Sequence, residues 1–281
     1  MQAHPSVNLP RALPVWPENK RPHAQADDLD FPRLTYYLPS EEYRTGQTVL
    51  ILPGGGYGLV SSAKEGHRPA QLLCAHGIAA AVLEYRHSPR RWPVPLLDAQ
   101  RALRICRQQA LENGLHQDQV GVMGFSAGGH LAGTLAMHPE HPESTIGGAL
   151  DAVSGLPDFQ ILIYPVVSFV EPYSHFGSRD NLLGKPADPD LARALSLETL
   201  AGPHAPPAFI LHAQNDQSVP PENSHLLAQT LTRHGVKTQF HLIPEGGHGF
   251  GLGANLPWGR WMLDWIASPL SKRSPLCPPP R

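Results

Sequence analysis

The segment Gln119-Val120-Gly121-Val122-Met123-Gly124-Phe125-Ser126-Ala127-Gly128-Gly129-His130 decides the fold. Its first seven residues form an apolar run of the length expected for a strand buried on both faces. Small residues follow without a spacer, in "AGGHLAGTLAMH" (127–138), and read as a helix. At the junction, Gly124-Phe125-Ser126-Ala127-Gly128 matches G-x-S-x-G, where small neighbours permit a tight strand-to-helix turn that projects the serine hydroxyl. Five residues alone match often by chance; the strand before and the helix after give the match its weight.

Similar units stand on either side. "TVLIL" (48–52) and "IAAAVLEY" (78–85) read as buried strands, with a helix from near Glu65 to His76 between them. In "LLDAQRALRICRQQALENG", Ala99, Leu103, Cys106 and Ala110 recur at three or four residues, which predicts an amphipathic helix stopped near Gly114. "FQILIYPVV" (159–167), "AFILHAQ" (208–214) and "TQFHLIP" (238–244) continue the strands, with a helix over 222–234 and a last one at "WGRWMLDWIA". Alternation of this kind predicts an α/β fold: a mostly parallel central sheet with helices on both faces. Residues 34–268 read as a single domain, preceded by a proline-rich, extended surface segment (1–33) and followed by a proline-rich tail (269–281). Residues 168–207 are too long for an ordinary connection and suit a cap or binding insertion, or equally a surface insertion.

Composition narrows the function. A net charge of −2 over 281 residues favours neither a polyanion nor an anionic membrane as partner. Cys74, Cys106 and Cys277 lack the spacing of a zinc or redox motif. No run reaches the roughly 20 apolar residues of a membrane span, and the N-terminus lacks the apolar segment of a signal peptide. The expectation is a cytoplasmic protein acting on a small ligand.

A serine hydroxyl needs a base and an oxyanion site before it becomes an effective nucleophile. His248, between glycines in "PEGGHGFGL" after the last predicted strand, is the candidate base among sixteen histidines. Asp216 follows the preceding strand and is the candidate acid, with Glu245 and Glu222 as weaker substitutes; Asn215-Asp216 is also a common turn and capping pair. The loop "ILPGGGYG" offers the N–H groups of Gly55 and Gly56, and Ala127 offers a third at a helix N-terminus. The order serine, acid, histidine predicts a serine hydrolase of the α/β-hydrolase fold.

The blocks "LPGGGYGLVSSAKEGHRPAQLLCAHGIAAAVLEYR", "VPLLDAQRALRICRQQA", "VGVMGFSAGGHLAGTLAMH", "GSRDNLLG", "APPAFILHAQNDQSVPPENS" and "PEGGHGFGL" resemble the acetylxylan esterase-like α/β-hydrolases, from about Thr48 to Trp265. The resemblance implies a triad of Ser126, Asp216 and His248, oxyanion donors at Gly55, Gly56 and Ala127, and deacetylation of carbohydrate esters or hydrolysis of small acyl esters. Pro53 stands where the wider hormone-sensitive-lipase-like group carries the histidine of an HGGG loop. The same triad also serves amidases of the formamidase or peptidase kind, and a hydrolase-fold binding protein without turnover is a further alternative.

Other residues carry two readings each. Tyr57, Tyr164 and Trp258 are candidates for lining a substrate pocket, or equally for core packing. Trp261 and Trp265, four apart on a helix, read as core. Arg86, Arg90 and Arg91 could meet an anionic group, though such runs are more often solvated or paired with acids. His130, His138 and His141 lack the spacing of common zinc hydrolase motifs, so neither metal nor organic cofactor is expected.

Overall fold

In the computed structural model, which describes residues 9–24, 31–253 and 256–272, the strands meet in the order β1-β2-β4-β3-β5-β6-β7-β8. They span β1 Arg11–Pro14, β2 Arg33–Tyr37, β3 Thr48–Leu52, β4 Ala79–Glu84, β5 Val120–Phe125, β6 Gln160–Ile163, β7 Ala208–Ala213 and β8 Thr238–Ile243. From β4 to β8 every pairing is parallel, while β1 and β2 add on antiparallel. The helices are α1 Arg68–Ala75, α2 Val94–Glu112, α3 Ala127–Met137, α4 Phe176–Leu183, α5 Pro189–Ala194, α6 Leu197–Leu200, α7 Glu222–Arg233 and α8 Trp258–Ala267. This is the expected α/β-hydrolase arrangement. None of the described helices is long and apolar enough to cross a membrane.

The central strands β3, β5, β6 and β7 are buried along their whole length, because helices cover both faces. Two apolar layers result. Leu50, Leu52, Val122 and Leu162 pack toward α2 and α3, while Val49, Ile51, Met123 and Ile161 pack toward α1 and α8. Period-2 alternation along each strand divides its side chains between the layers. Cys74 and Cys106 are buried free thiols within them, and burial pushes the Cys106 thiol up to about 12; Cys277 lies outside the described residues.

Several boundaries differ from the sequence reading. Residues 11–14 extend the sheet, and Val15 and Trp16 behind them are buried, where a surface segment was expected. The helix expected from Glu65 begins as a π-helical turn, Ser62–His67, and becomes α-helical only at Arg68. The strand expected over 159–167 ends at Ile163, because Tyr164 takes a left-handed φ of 37°. Residues 1–8, 25–30 and 273–281, with most of the predicted tail, lie outside the described residues.

Candidate active site

The carboxyl ends of β3, β5, β6, β7 and β8 converge at one edge, where an open parallel sheet places its ligand crevice. Ser126 sits between β5 and α3 at φ 53° and ψ −121°. Such a conformation is costly for a residue with a side chain and persists only when its surroundings over-determine it. They do: the Ser126 N–H donates to Ile163 O, and its carbonyl accepts from Val166 and His130. Among the described residues, four non-glycines have left-handed φ, and three of them (Tyr57, Ser126 and Tyr164) surround this crevice.

The Ser126 Oγ lies 2.9 Å from His248 Nε2, and His248 Nδ1 lies 2.7 Å from Asp216 Oδ2. Ser126 and Asp216 are almost fully buried, while the His248 side chain keeps 24% of its exposure, enough to meet a ligand from solvent. The second Asp216 oxygen accepts from the Ser218 and Val219 N–H groups at 2.9 and 3.0 Å. Buried His212 stands 3.2 Å from Oδ2 through its Nε2. Burial works against the Asp216 charge, but the bonds from His212, His248 and Val219 outweigh it and hold the carboxyl well below the usual range. Such a carboxylate keeps the His248 proton on Nδ1 and leaves Nε2 free to accept one from Ser126. Glu245 and Glu222, the substitute acids, are exposed, and neither bonds to His248.

The glycine loop faces the serine. Gly55 has φ 137°, and a Cβ there would stand 2.1 Å from Leu59 O, so only glycine makes this turn. Gly54 N–H donates to Glu65 Oε2 at 2.9 Å. The N–H groups of Gly55, Gly56 and Ala127 have no acceptor among the described residues. Ala127 opens α3, so its N–H is one of the helix's unpaired donors and carries the positive end of the dipole.

Three residues that hold the site were not apparent in the sequence. Buried Glu65 bonds Gly54 through one oxygen and accepts from Tyr164 OH at 2.8 Å through the other. Tyr164 OH accepts in turn from Gly251 N–H at 3.1 Å, so a single carboxylate joins the glycine loop to the histidine loop. Asn215 Oδ1 accepts from Gly246 and Gly247, fixing the chain just before His248. His212 is the third, through Asp216. Glu65 and Asn215 bond to segments distant in the chain, while His212, only four residues from Asp216, stands inside an apolar strand run where nothing marks it as a partner.

Of the two readings of the pocket-lining candidates, the structure shows the core packing. Tyr57, Tyr164 and Trp258 are all buried, with their polar ends taken by His130 Nδ1, Glu65 and Gly251 O respectively. Tyr164 packs its ring edge-on to His248, with centroids 5.0 Å apart, and so shapes the site without facing the crevice. Trp261, stacked on His241, is only partly buried, while Trp265 is core. Arg86 is sealed against Asp98 and Arg91 lies beside Gly184. His130 is enclosed with both ring nitrogens bonded, His138 packs on Trp92 and His141 caps a short turn.

The BD-FAE family model matches residues 34–231. An acetylxylan esterase of Xylanibacter ruminicola is 33% identical over 244 residues, covering 84% of this chain and 48% of the relative. An endo-1,4-beta-xylanase B of Butyrivibrio fibrisolvens is 33% identical over 89% of this chain and 39% of its own length. The chain thus spans about half or less of these curated relatives. A solved acetyl ester-xyloside bifunctional hydrolase from Caldicellulosiruptor lactoaceticus matches with a TM-score of 0.86 at 35% identity, covering 92% of this chain and 95% of that one. With residues 34–231 matched and a third of its positions shared with relatives over most of its length, this chain belongs to the BD-FAE family of α/β-hydrolases.

Proposed function

We propose that this protein is a serine carboxylesterase that removes short acyl groups, acetyl above all, from esters of xylo-oligosaccharides or related sugars. Ser126 is the nucleophile and His248 the base; Asp216 orients and stabilises the imidazole. The observation that carries the reading is the unbroken chain Ser126 Oγ, His248, Asp216 at a strained elbow facing unpaired N–H groups. The sugar ester as substrate is supported by relatives bearing the names acetylxylan esterase and acetyl ester-xyloside hydrolase.

The reaction runs in two steps. His248 Nε2 takes the Ser126 proton as Oγ bonds to the carbonyl carbon, and the negative oxygen rests on the N–H groups of Gly55, Gly56 and Ala127. As the intermediate collapses, the ester C–O bond breaks and His248 returns the proton to the departing alcohol oxygen. Water, deprotonated by His248, then attacks the acyl-serine; the bond from the acyl carbon to Oγ breaks, His248 returns the proton to Ser126 Oγ, and acetate is released.

Ser126→Ala is expected to lower kcat on an aryl acetate by at least about a thousandfold with an unchanged circular dichroism spectrum. Activity within tenfold of wild type would overturn the assignment. Acetate release from acetylated xylo-oligosaccharides, measured beside aryl esters of increasing chain length, tests the substrate. Rapid turnover of long acyl esters with acetyl sugars untouched would remove the carbohydrate reading.

A further inference from the structure

His175 ends the loop that leads from β6 into α4, within the interval 168–207, and its role is not accounted for by the triad. The helix it caps sits on the glycine loop: Asn181 Nδ2 donates to Gly56 O at 2.9 Å, and buried Ser178 holds its Oγ 3.9 Å from where a Gly56 Cβ would stand. That same Ser178 meets the imidazole, its N–H at 3.2 Å and its Oγ at 2.8 Å from His175 Nδ1. The half-buried ring also lies within range of the charges of His248 and Asp216. His175 is therefore near both the glycine loop and the candidate base.

Its protonation state follows from these bonds. Nδ1 accepts the Ser178 N–H, so in the neutral ring the proton is on Nε2. Burial, and after it the neighbouring His248, pull the pKa down and keep the ring neutral. Nε2–H has no acceptor among the described residues. A helix cap requires Nδ1 alone, and asparagine, serine or aspartate would supply it at least as well. The outer nitrogen is left as a donor that the cap does not use. The alcohol that departs must bring its oxygen within reach of His248 Nε2, so a group flanking His248 borders the alcohol side of the ester.

We propose that His175 is a substrate-binding residue whose Nε2–H takes a free hydroxyl next to the ester on the alcohol side, selecting polyol and sugar esters over plain alkyl esters. This rests on the esterase reading above and adds the residue that would discriminate the alcohol. Sites that hydrogen-bond a substrate hydroxyl discriminate strongly against analogues that lack it.

The test is the ratio of kcat/KM for ethylene glycol monoacetate to that for ethyl acetate. His175→Asn keeps a capping oxygen but stops short of the Nε2 position; His175→Gln restores an amide N–H near it. The ratio is expected to fall about tenfold in His175→Asn, the size of one hydrogen bond between neutral groups. In His175→Gln it is expected to return to within threefold of wild type. Thermal melting of both variants separates loss of the cap from loss of the donor. A ratio unchanged in His175→Asn, or equally low in His175→Gln, overturns the proposal. Wild-type protein that cleaves the glycol ester but leaves acetylated xylo-oligosaccharides intact removes the sugar reading while the glycol ratio still decides the role of His175.

Discussion

Gly128 is glycine for want of room. A Cβ there would stand 2.1 Å from Leu52 O and 2.4 Å from Pro53 O, backbone atoms at the end of β3 and the start of the glycine loop. Gly128→Ala is therefore expected to destabilise the protein by about 3 kcal/mol, read from urea denaturation, because backbone cannot yield as a side chain would. This glycine was legible as part of G-x-S-x-G. Glu65 was not: a glutamate in an expected helix reads as a solvated face, and only the fold brings it under Gly54 and Tyr164. Tyr164→Phe keeps the ring against His248 and removes only the hydroxyl. Its loss strands a Glu65 oxygen and the Gly251 N–H, at a cost of about 1–3 kcal/mol. A fall in kcat of about tenfold with little change in KM is expected, since the loops being held carry the reaction rather than the ground-state complex.

Helix α3 does more than present Ser126. Its His130 accepts from Tyr57 OH through Nδ1 and donates through Nε2 to Leu195 O, joining the glycine loop to the segment beyond α5. Burial lowers the His130 pKa from 6.5 to about 4, against a smaller opposing effect of the Leu195 carbonyl. The unfolded chain takes up this proton as pH falls below about 6.5 and the folded chain does not, so stability drops across pH 6.5 to 4 and levels off below. The contribution is about 3 kcal/mol over that window. In His130→Gln, which cannot titrate, urea denaturation from pH 7 to pH 4.5 should show a shallower decline by roughly that amount. Elements buried on both faces were the readable ones: β3, β5 and β7 are largely apolar runs, interrupted only by Thr48 and His212 among polar residues. The edge was not readable. β1 is Arg-Ala-Leu-Pro, four residues with a proline, and β2 is Arg-Leu-Thr-Tyr-Tyr; β2 becomes a strand because β4 is there to pair with, and β1 because β2 is.

At the scale of the whole molecule, the N-terminal segment is held to the body by a buried charge pair. Arg86 meets Asp98 through both Nε and Nη2, Trp16 Nε1 donates to Asp98 at 2.6 Å, and Arg86 Nη1 donates to Pro22 O. Both charged side chains are essentially without solvent. Arg86→Met leaves the Asp98 carboxylate buried without its counter-charge and is expected to cost about 3–5 kcal/mol. Asp98→Asn with Arg86→Met should recover part of that loss in equilibrium unfolding. The interval 168–207 is held at more than one point, by Asn181 on Gly56, by the His130 bond to Leu195 and by Asn223 Oδ1 on the Val167 and Ser168 N–H groups. Opening it as a flap would break hydrogen bonds to the very loop that receives the oxyanion. Turnover should accordingly follow a plain hyperbola in concentration for soluble esters, with no lag after mixing. No jump in rate is expected when a longer ester passes its solubility limit into droplets: an enzyme whose crevice stands ready gains nothing from an oil–water boundary.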